Sequence, residues 1–136
     1  MKLRKGEKED MPTVLLLIKE LAVFEKEPDA VVLTEADLVR DGFGESPLFH
    51  TFVADVAGEI VGIALYYYRY STWKGKTIHL EDLIVKEEMR GSGIGFALYS
   101  EIIHQGKKRV FVAWNGMCLI GTRPPLIFTK KRGQKF

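Results

Sequence analysis

Apolar residues along this chain are spaced as in a helix at first, then as in strands, and then as in a helix again. In the first part they recur every three to four residues and stop at the charged segment 25–29. This pattern predicts a helix that is capped by Asp10, carries Pro12 in its first turn and runs through Phe24. A short strand at 2–5 is expected before it.

A second helix is predicted to begin at Thr34 and to end near 41–42. Asp37 occupies its third position, which approximates a capping box with Thr34. The segment 43–47 that follows has the composition of a loop, because Gly44, Ser46 and Pro47 stand close together in it.

From residue 50 onward the apolar period indicates strands. Segments 50–56 and 60–70 are rich in β-branched and aromatic residues and predict an antiparallel hairpin around the turn 57–59. A further turn at 71–76 precedes a third strand. The remaining predicted elements are a strand at 77–85, a helix at 93–105 and a strand at 109–114. The order of elements predicts a single α/β domain over 1–136, with a mostly antiparallel sheet flanked by helices.

Composition narrows the class of protein. The chain has 136 residues with 46% hydrophobic and 28% charged content, which is typical of a globular protein. A net charge of +2 with scattered basic residues does not favour nucleic acid as a partner. The one cysteine, Cys118, excludes an internal disulfide. The charged N-terminus and the absence of a long apolar run predict neither a signal peptide nor a membrane span, so a cytoplasmic location is expected.

The third predicted strand leads into Arg90-Gly91-Ser92-Gly93-Ile94-Gly95 and then into a helix. Such a turn leaves backbone N–H groups exposed at the positive end of the helix dipole, where phosphate binds well. Glycine permits the positive φ and the close approach that this requires. The turn therefore predicts a phosphate site, against the alternative of a helix start with no ligand.

The chain resembles the GNAT N-acetyltransferases, whose acetyl-CoA motif R/Q-x-x-G-x-G/A is matched by residues 90–95. It is similar above all to the spermidine/spermine (diamine) and thialysine N-acetyltransferases, through fragments such as Asp41-Gly42-Phe43-Gly44-Glu45 and Leu80-Glu81-Asp82. The resemblance covers 1–108. It implies a GNAT fold, acetyl-CoA as cosubstrate, a homodimer, and direct acetyl transfer to a primary amine of a polyamine or lysine-like small molecule.

The resemblance also implies which residues bind acetyl-CoA. The strand end is expected to lend backbone groups to the pantetheine arm, and the turn with the start of the helix is expected to hold the pyrophosphate. These residues are Leu83, Ile84, Val85, Arg90, Gly91, Ser92, Gly93, Ile94, Gly95 and Phe96. No metal is expected, because His50, His79 and His104 lack metal-ligand spacing and are interpreted as structural or surface residues.

Glu81 is the expected catalytic base by the same resemblance, with a solvent-facing carboxylate as the alternative. Strand alternation sends its neighbour Asp82 to the opposite face, where it is interpreted as supporting or structural. Substrate contacts are expected at Phe24 and Glu25, in the loop where the family has them, at Glu81 and Asp82, and at Trp73, whose aromatic face attracts cations. A solvated helix end for Glu25 and core packing for Trp73 are the alternatives.

The last segment, 109–136, departs from the family pattern. Thr129 stands where the family has a tyrosine as the proposed general acid, and a threonine hydroxyl is a poor acid. Read one base earlier, degenerate codons for 120–122 and 128–136 can encode D/Y-W-N-T and F-Y-K-K-K-G-A-K-I, which the family would place there. The segment is therefore predicted to be out-of-frame translation, with a truncated or altered end of the fold. The alternative function is a catalytically impaired CoA-binding or interaction module.

Overall fold

The computed structural model describes residues 1–73, 75–106, 111–114 and 117–119, whose strands form one six-stranded sheet. Neighbouring strands follow the order of the chain and are antiparallel, except that β4 and β5 are parallel. The expectation of a mostly antiparallel mixed sheet is confirmed. The strands are β1 (Lys2–Lys5), β2 (His50–Val56), β3 (Glu59–Ser71), β4 (Gly75–Val85), β5 (Phe111–Trp114) and β6 (Met117–Leu119).

Helices cover both faces of this sheet. They are α1 (Met11–Phe24), α2 (Glu35–Gly42) and α3 (Ile94–Gly106). Buried side chains of α1 and α2 pack on one face together with Val53, Ile63 and Ile84. Those of α3 pack on the other face, so that the sheet separates two apolar cores. None of the helices in the described segments has the length and apolar character needed to cross a membrane.

The predicted capping box of α2 is confirmed. The Thr34 hydroxyl accepts a hydrogen bond from the Asp37 N–H at 3.2 Å, and the Asp37 carboxylate accepts one from the Thr34 N–H at 3.0 Å. Each partner satisfies an N–H group that the first turn of a helix leaves without an intrahelical acceptor.

The prediction that Asp10 caps α1 is wrong. A 3₁₀ turn (Lys8–Asp10) runs directly into the helix, so Asp10 already has helical backbone angles and its side chain makes no cap bond. Its carboxylate instead accepts two hydrogen bonds from the Arg4 guanidinium, at 2.8 and 3.1 Å, and one from the Glu7 N–H. Arg4 also contacts Asp55 on β2 at 3.3 Å. The cluster joins the first strand, the start of α1 and the hairpin.

A bulge in β3 brings α3 close to the sheet. Ala54 pairs with Gly62 and Asp55 with Ile60, so Val61 is an extra residue between the two pairs. Val61 and Gly62 therefore both face α3. A Cβ atom on Gly62 would lie 3.1 Å from the Ile94 side chain. The first turn of α3 therefore packs directly against the backbone of Gly62.

Candidate active site

A second bulge, in β4, brings two carboxylates onto one face of the sheet. Tyr66 pairs with Leu80 and Leu65 with Asp82, which leaves Glu81 as the extra residue. Before the bulge the side chains of Ile78 and Leu80 face α3, and after it those of Leu83 and Val85 do. Side chains facing α3 therefore switch from even-numbered to odd-numbered positions across the bulge. The prediction that Asp82 lies on the face opposite Glu81 is therefore wrong, because an extra residue sends both side chains toward α1.

Glu81 and Asp82 line a cleft of about 320 Å³ between β4 and the end of α1. Glu25 and Glu27 line it from the other side, and none of the described lining residues is basic. Apolar side chains, among them Leu21 and Leu65, form much of the remaining wall. Four carboxylates in one partly apolar cleft concentrate negative potential there, which favours a cationic ligand.

The C-terminus of α1 places two of these carboxylates. Lys26 adopts a left-handed conformation with φ of 62°, its N–H bonds to Val23 O, and the Glu27 N–H bonds to Ala22 O. These two bonds form a Schellman motif, which reverses the chain directly after the helix. The reversal sets Glu25 and Glu27 on the rim of the cleft. Sequence analysis missed Glu27; a charged segment after a helical stripe was its only signal.

Glu25 has an oxygen ready for a ligand. Its Oε2 atom is buried, and no hydrogen-bond donor among the described residues reaches it. A carboxylate oxygen removed from water without a donor is unfavourable, and a bound ammonium group would remove that cost. The buried oxygen does not match a fully solvated helix end, and the substrate contact of Glu25 stays a prediction.

His79 is a contact of Glu81 that sequence analysis left as structural or surface. Its Nε2 atom lies 3.4 Å from Glu81 Oε1, and its Nδ1 atom lies 3.4 Å from an Arg69 guanidinium nitrogen. Tyr67 lies opposite His79 on β3, with ring centroids 5.0 Å apart. The spacing of two residues along β4 was the available signal, because such residues share a face of a strand.

The glycine-rich turn has the conformation that its sequence predicts. Gly91 and Gly93 have φ of 83° and 88°, and an added Cβ on either would meet no atom within 4 Å. The turn is therefore open to a ligand, and α3 begins immediately after it at Ile94. Its first N–H groups have no intrahelical acceptors. The residues from Arg90 to Phe96 fit a pyrophosphate group at this position.

In the part of the chain that the structure describes, the end of β4 lacks a partner strand on one side, beside this turn. β5 pairs with β4 only from Thr77 to His79. From Leu80 to Val85, β4 has no strand on that side among the described residues, while its other side pairs with β3. The side chains of Leu83, Ile84 and Val85 are buried. The backbone at this splayed edge, where Val85 O accepts from Arg90 Nε, fits an extended amide-bearing chain such as pantetheine.

Arg90 joins the turn to α1. Its Nε atom donates to Val85 O at 3.2 Å, and its guanidinium carbon lies 5.7 Å from the centroid of the Phe24 ring. Phe24 lies in a smaller cavity with Arg90 and Val85 and is not among the residues that line the acidic cleft. The structure thus places Phe24 on the glycine-turn side of the site.

Trp73 lies apart from the cleft. It occupies the turn between β3 and β4 and is 94% exposed, so it does not pack in the core.

Thr129 lies outside the described residues, as does most of 109–136. The predicted strand at 109–114 is confirmed for Phe111–Trp114. In the described segments no three His, Cys, Asp or Glu side chains come together as a metal site.

Comparisons with known proteins agree with this geometry. The acetyltransferase (GNAT) family matches residues 14–116. Thialysine N-epsilon-acetyltransferase of Bos taurus is 44% identical over 108 residues, which cover 74% of this chain and 64% of that protein. The human spermidine/spermine N(1)-acetyltransferase-like protein 1 is 47% identical over 100 residues, 68% of this chain and 14% of that protein. This chain thus spans just under two thirds of the bovine enzyme.

Solved structures show the same fold. An acetyltransferase of Trypanosoma brucei superposes with a TM-score of 0.60 and 26% identity, over 82% of this chain and 81% of that one.

Proposed function

The chain belongs to the GNAT acetyltransferase family, and on that premise we propose that it transfers the acetyl group of acetyl-CoA to a primary amine of a polyamine or lysine-like small molecule. One observation carries the proposal. The bulge in β4 puts an acidic cleft beside the strand that continues into the open glycine turn. Glu81 and Val85 are separated by roughly 13 Å of strand, so one element serves both substrates.

The chemistry requires a neutral amine, which most amines are not at pH 7. Glu81 accepts a proton from the ammonium group, directly or through water. The amine nitrogen then forms a bond to the thioester carbonyl carbon, the carbon–sulfur bond breaks, and the CoA thiolate takes up a proton. The products are an acetamide and free CoA. Glu25, Glu27 and Asp82 hold the positive charges of the acceptor.

Acetyl-CoA fits the other half of the site. Residues from Gly91 to Phe96 hold the pyrophosphate through backbone N–H groups, with Arg90 as a nearby cation. The free edge of β4 at Leu83, Ile84 and Val85 binds the pantetheine amides. Acetyl-CoA supplies the activated acetyl group, and no metal takes part. The enzyme acts as a cytoplasmic homodimer and as one GNAT domain.

An acetylation assay with a base variant tests the proposal. The purified chain is incubated with acetyl-CoA and spermidine, thialysine or a diamine, and the released thiol is measured. We expect Glu81→Gln to lower kcat by about 10²–10⁴-fold, because the base is lost. Its affinity for CoA in calorimetry should not change. Glu45→Gln, an exposed carboxylate away from the cleft, is the matched control and should retain full activity.

Two results would contradict the proposal. Acetylation that survives in Glu81→Gln would remove Glu81 from the reaction. CoA binding without thiol release from any cationic amine would instead support the impaired CoA-binding module, which depends on the segment 109–136. Sequencing the coding DNA tests the out-of-frame prediction for that segment directly.

A further inference from the structure

Three side chains form a row on the face of the sheet that carries the acidic cleft. They are Arg69 on β3 and His79 and Glu81 on β4, with the imidazole in the middle. Tyr67 pairs with His79, and Arg69, two residues further along β3, shares the same face. His79 is partly buried, with about a fifth of its side chain exposed, so its ring has a defined environment.

The chemistry of the guanidinium group decides which imidazole nitrogen carries the proton. Arginine can only donate hydrogen bonds, so His79 Nδ1, 3.4 Å from Arg69, must be an acceptor and carry no hydrogen. In a neutral imidazole the hydrogen then resides on Nε2. That atom lies 3.4 Å from Glu81 Oε1, close enough for its hydrogen to be directed at the carboxylate.

We propose that His79, held in its Nε2-protonated tautomer by Arg69, is a positioning residue that orients the Glu81 carboxylate. The proposal rests on the proposed function, in which Glu81 is the base. Glu81 is the extra residue of a bulge, so the ladder of cross-strand pairs does not fix it as it fixes its neighbours. The donor from His79 supplies a constraint on the side chain that the backbone pairing does not.

The contact with His79 involves Glu81, which distinguishes the Glu81 carboxylate from that of the adjacent Asp82. His79 and Glu81 share a face because they are two residues apart, whereas Asp82 reaches that face only through the bulge. A contact between the imidazole and Oε1 restricts how the Glu81 carboxylate can rotate. A base held in one orientation needs less reorganisation when the amine arrives.

Nuclear magnetic resonance tests the arrangement without any turnover. Long-range ¹H–¹⁵N spectra of the intact chain report which ring nitrogen of His79 is protonated. We expect Nε2–H in the wild type and a mixture of tautomers in Arg69→Met. The carboxyl carbon resonance of Glu81 should shift in His79→Leu and return in His79→Gln, whose amide nitrogen can replace Nε2. An Nδ1–H tautomer, or the same tautomer with and without Arg69, overturns the proposal.

Kinetics test the consequence for the reaction. We expect His79→Leu to lower kcat on the order of tenfold, less than loss of the base itself, with KM for acetyl-CoA and the melting temperature nearly unchanged. His79→Gln should recover most of kcat. If both variants are equally impaired, or neither is, the positioning role is refuted. If the wild-type chain acetylates no amine, the proposed function fails, whereas the tautomer and the Glu81 resonance still decide whether the row exists.

Discussion

Replacing Gly62 by alanine should damage CoA binding from a distance. Gly62 lies in the β3 bulge beneath α3, and the new methyl group would lie 3.1 Å from Ile94 Cγ2 and 3.2 Å from both Leu98 Cδ1 and Ile84 O. Ordinary contacts begin near 3.5 Å, so the α3 side chains and the edge of β4 must each move away from Gly62 by up to about 0.4 Å. Ile94 begins the helix that follows the glycine turn, and Ile84 lies on the splayed edge.

The magnitude follows from these contacts. Overpacking a tight site costs about 1–3 kcal/mol, and alanine regains part of this because it restricts the unfolded chain more than glycine does. A net loss of about 1–2 kcal/mol lowers the melting temperature by roughly 3–8 °C for a chain of this size. Displacing the phosphate site by a few tenths of an ångström should weaken CoA about fivefold, since about 1 Å costs on the order of a hundredfold in a reacting site.

Calorimetric titration with CoA and thermal unfolding measure the two effects separately. Gly58→Ala is the matched control: Gly58 has φ of 89° and open space around it, so alanine there costs backbone strain of about 1 kcal/mol without pressing on α3. It should lower the melting temperature and leave CoA affinity intact. CoA affinity within twofold of wild type in Gly62→Ala, or an equal loss in Gly58→Ala, would refute the reasoning.

Three further predictions concern the turns and the Arg4 cluster. Arg4 holds the pKa of Asp10 below its ordinary 3.8 through side-chain hydrogen bonds, so Asp10 stabilises the fold above about pH 4 and this contribution is lost as pH falls through the lower folded pKa. Asp10→Asn should therefore cost about 2 kcal/mol in urea unfolding at pH 7, a difference that narrows in acid; a constant difference would contradict it. Lys26→Gly should raise stability by about 0.5–1 kcal/mol, because Lys26 is left-handed, and a lower melting temperature would count against the Schellman motif. Gly93→Ala should weaken CoA at least about tenfold by changing the turn, while Gly75→Ala, also at positive φ, should not; equal effects would argue against the turn as the phosphate site.

Features that depend only on residues close together in the sequence could be predicted from it. Thr34 and Asp37 make a capping box because both partners lie within one turn, and the glycine turn follows from residues that adopt positive φ readily. Asp10 was misjudged because its partner, Arg4, is on another element, and a guanidinium competes well against a cap bond. Local chemistry alone does not show that competition.

Asp82 was misjudged for a different reason. Simple alternation assumes an unbroken pairing register, and the register depends on a second strand. The chain did contain a signal: apolar residues at Ile78 and Leu80 change phase to Leu83 and Val85, with two acidic residues between them. Reading that phase change as a bulge would have placed both carboxylates in the cleft. The cleft itself joins the end of α1 to β4, elements that are far apart in the sequence.

The bulge in β4 also bears on how such a site is gained or lost by mutation. Removing the codon for Asp82 would restore regular alternation and leave Leu80, Leu83 and Val85 on the faces they now occupy. The number of residues in β4 therefore sets whether that strand contributes one carboxylate or two to the cleft, and a single-codon deletion or insertion changes this number without repacking either apolar core. A relative with one residue fewer here would keep the fold and the glycine turn, and would present one acidic group from this strand to its acceptor.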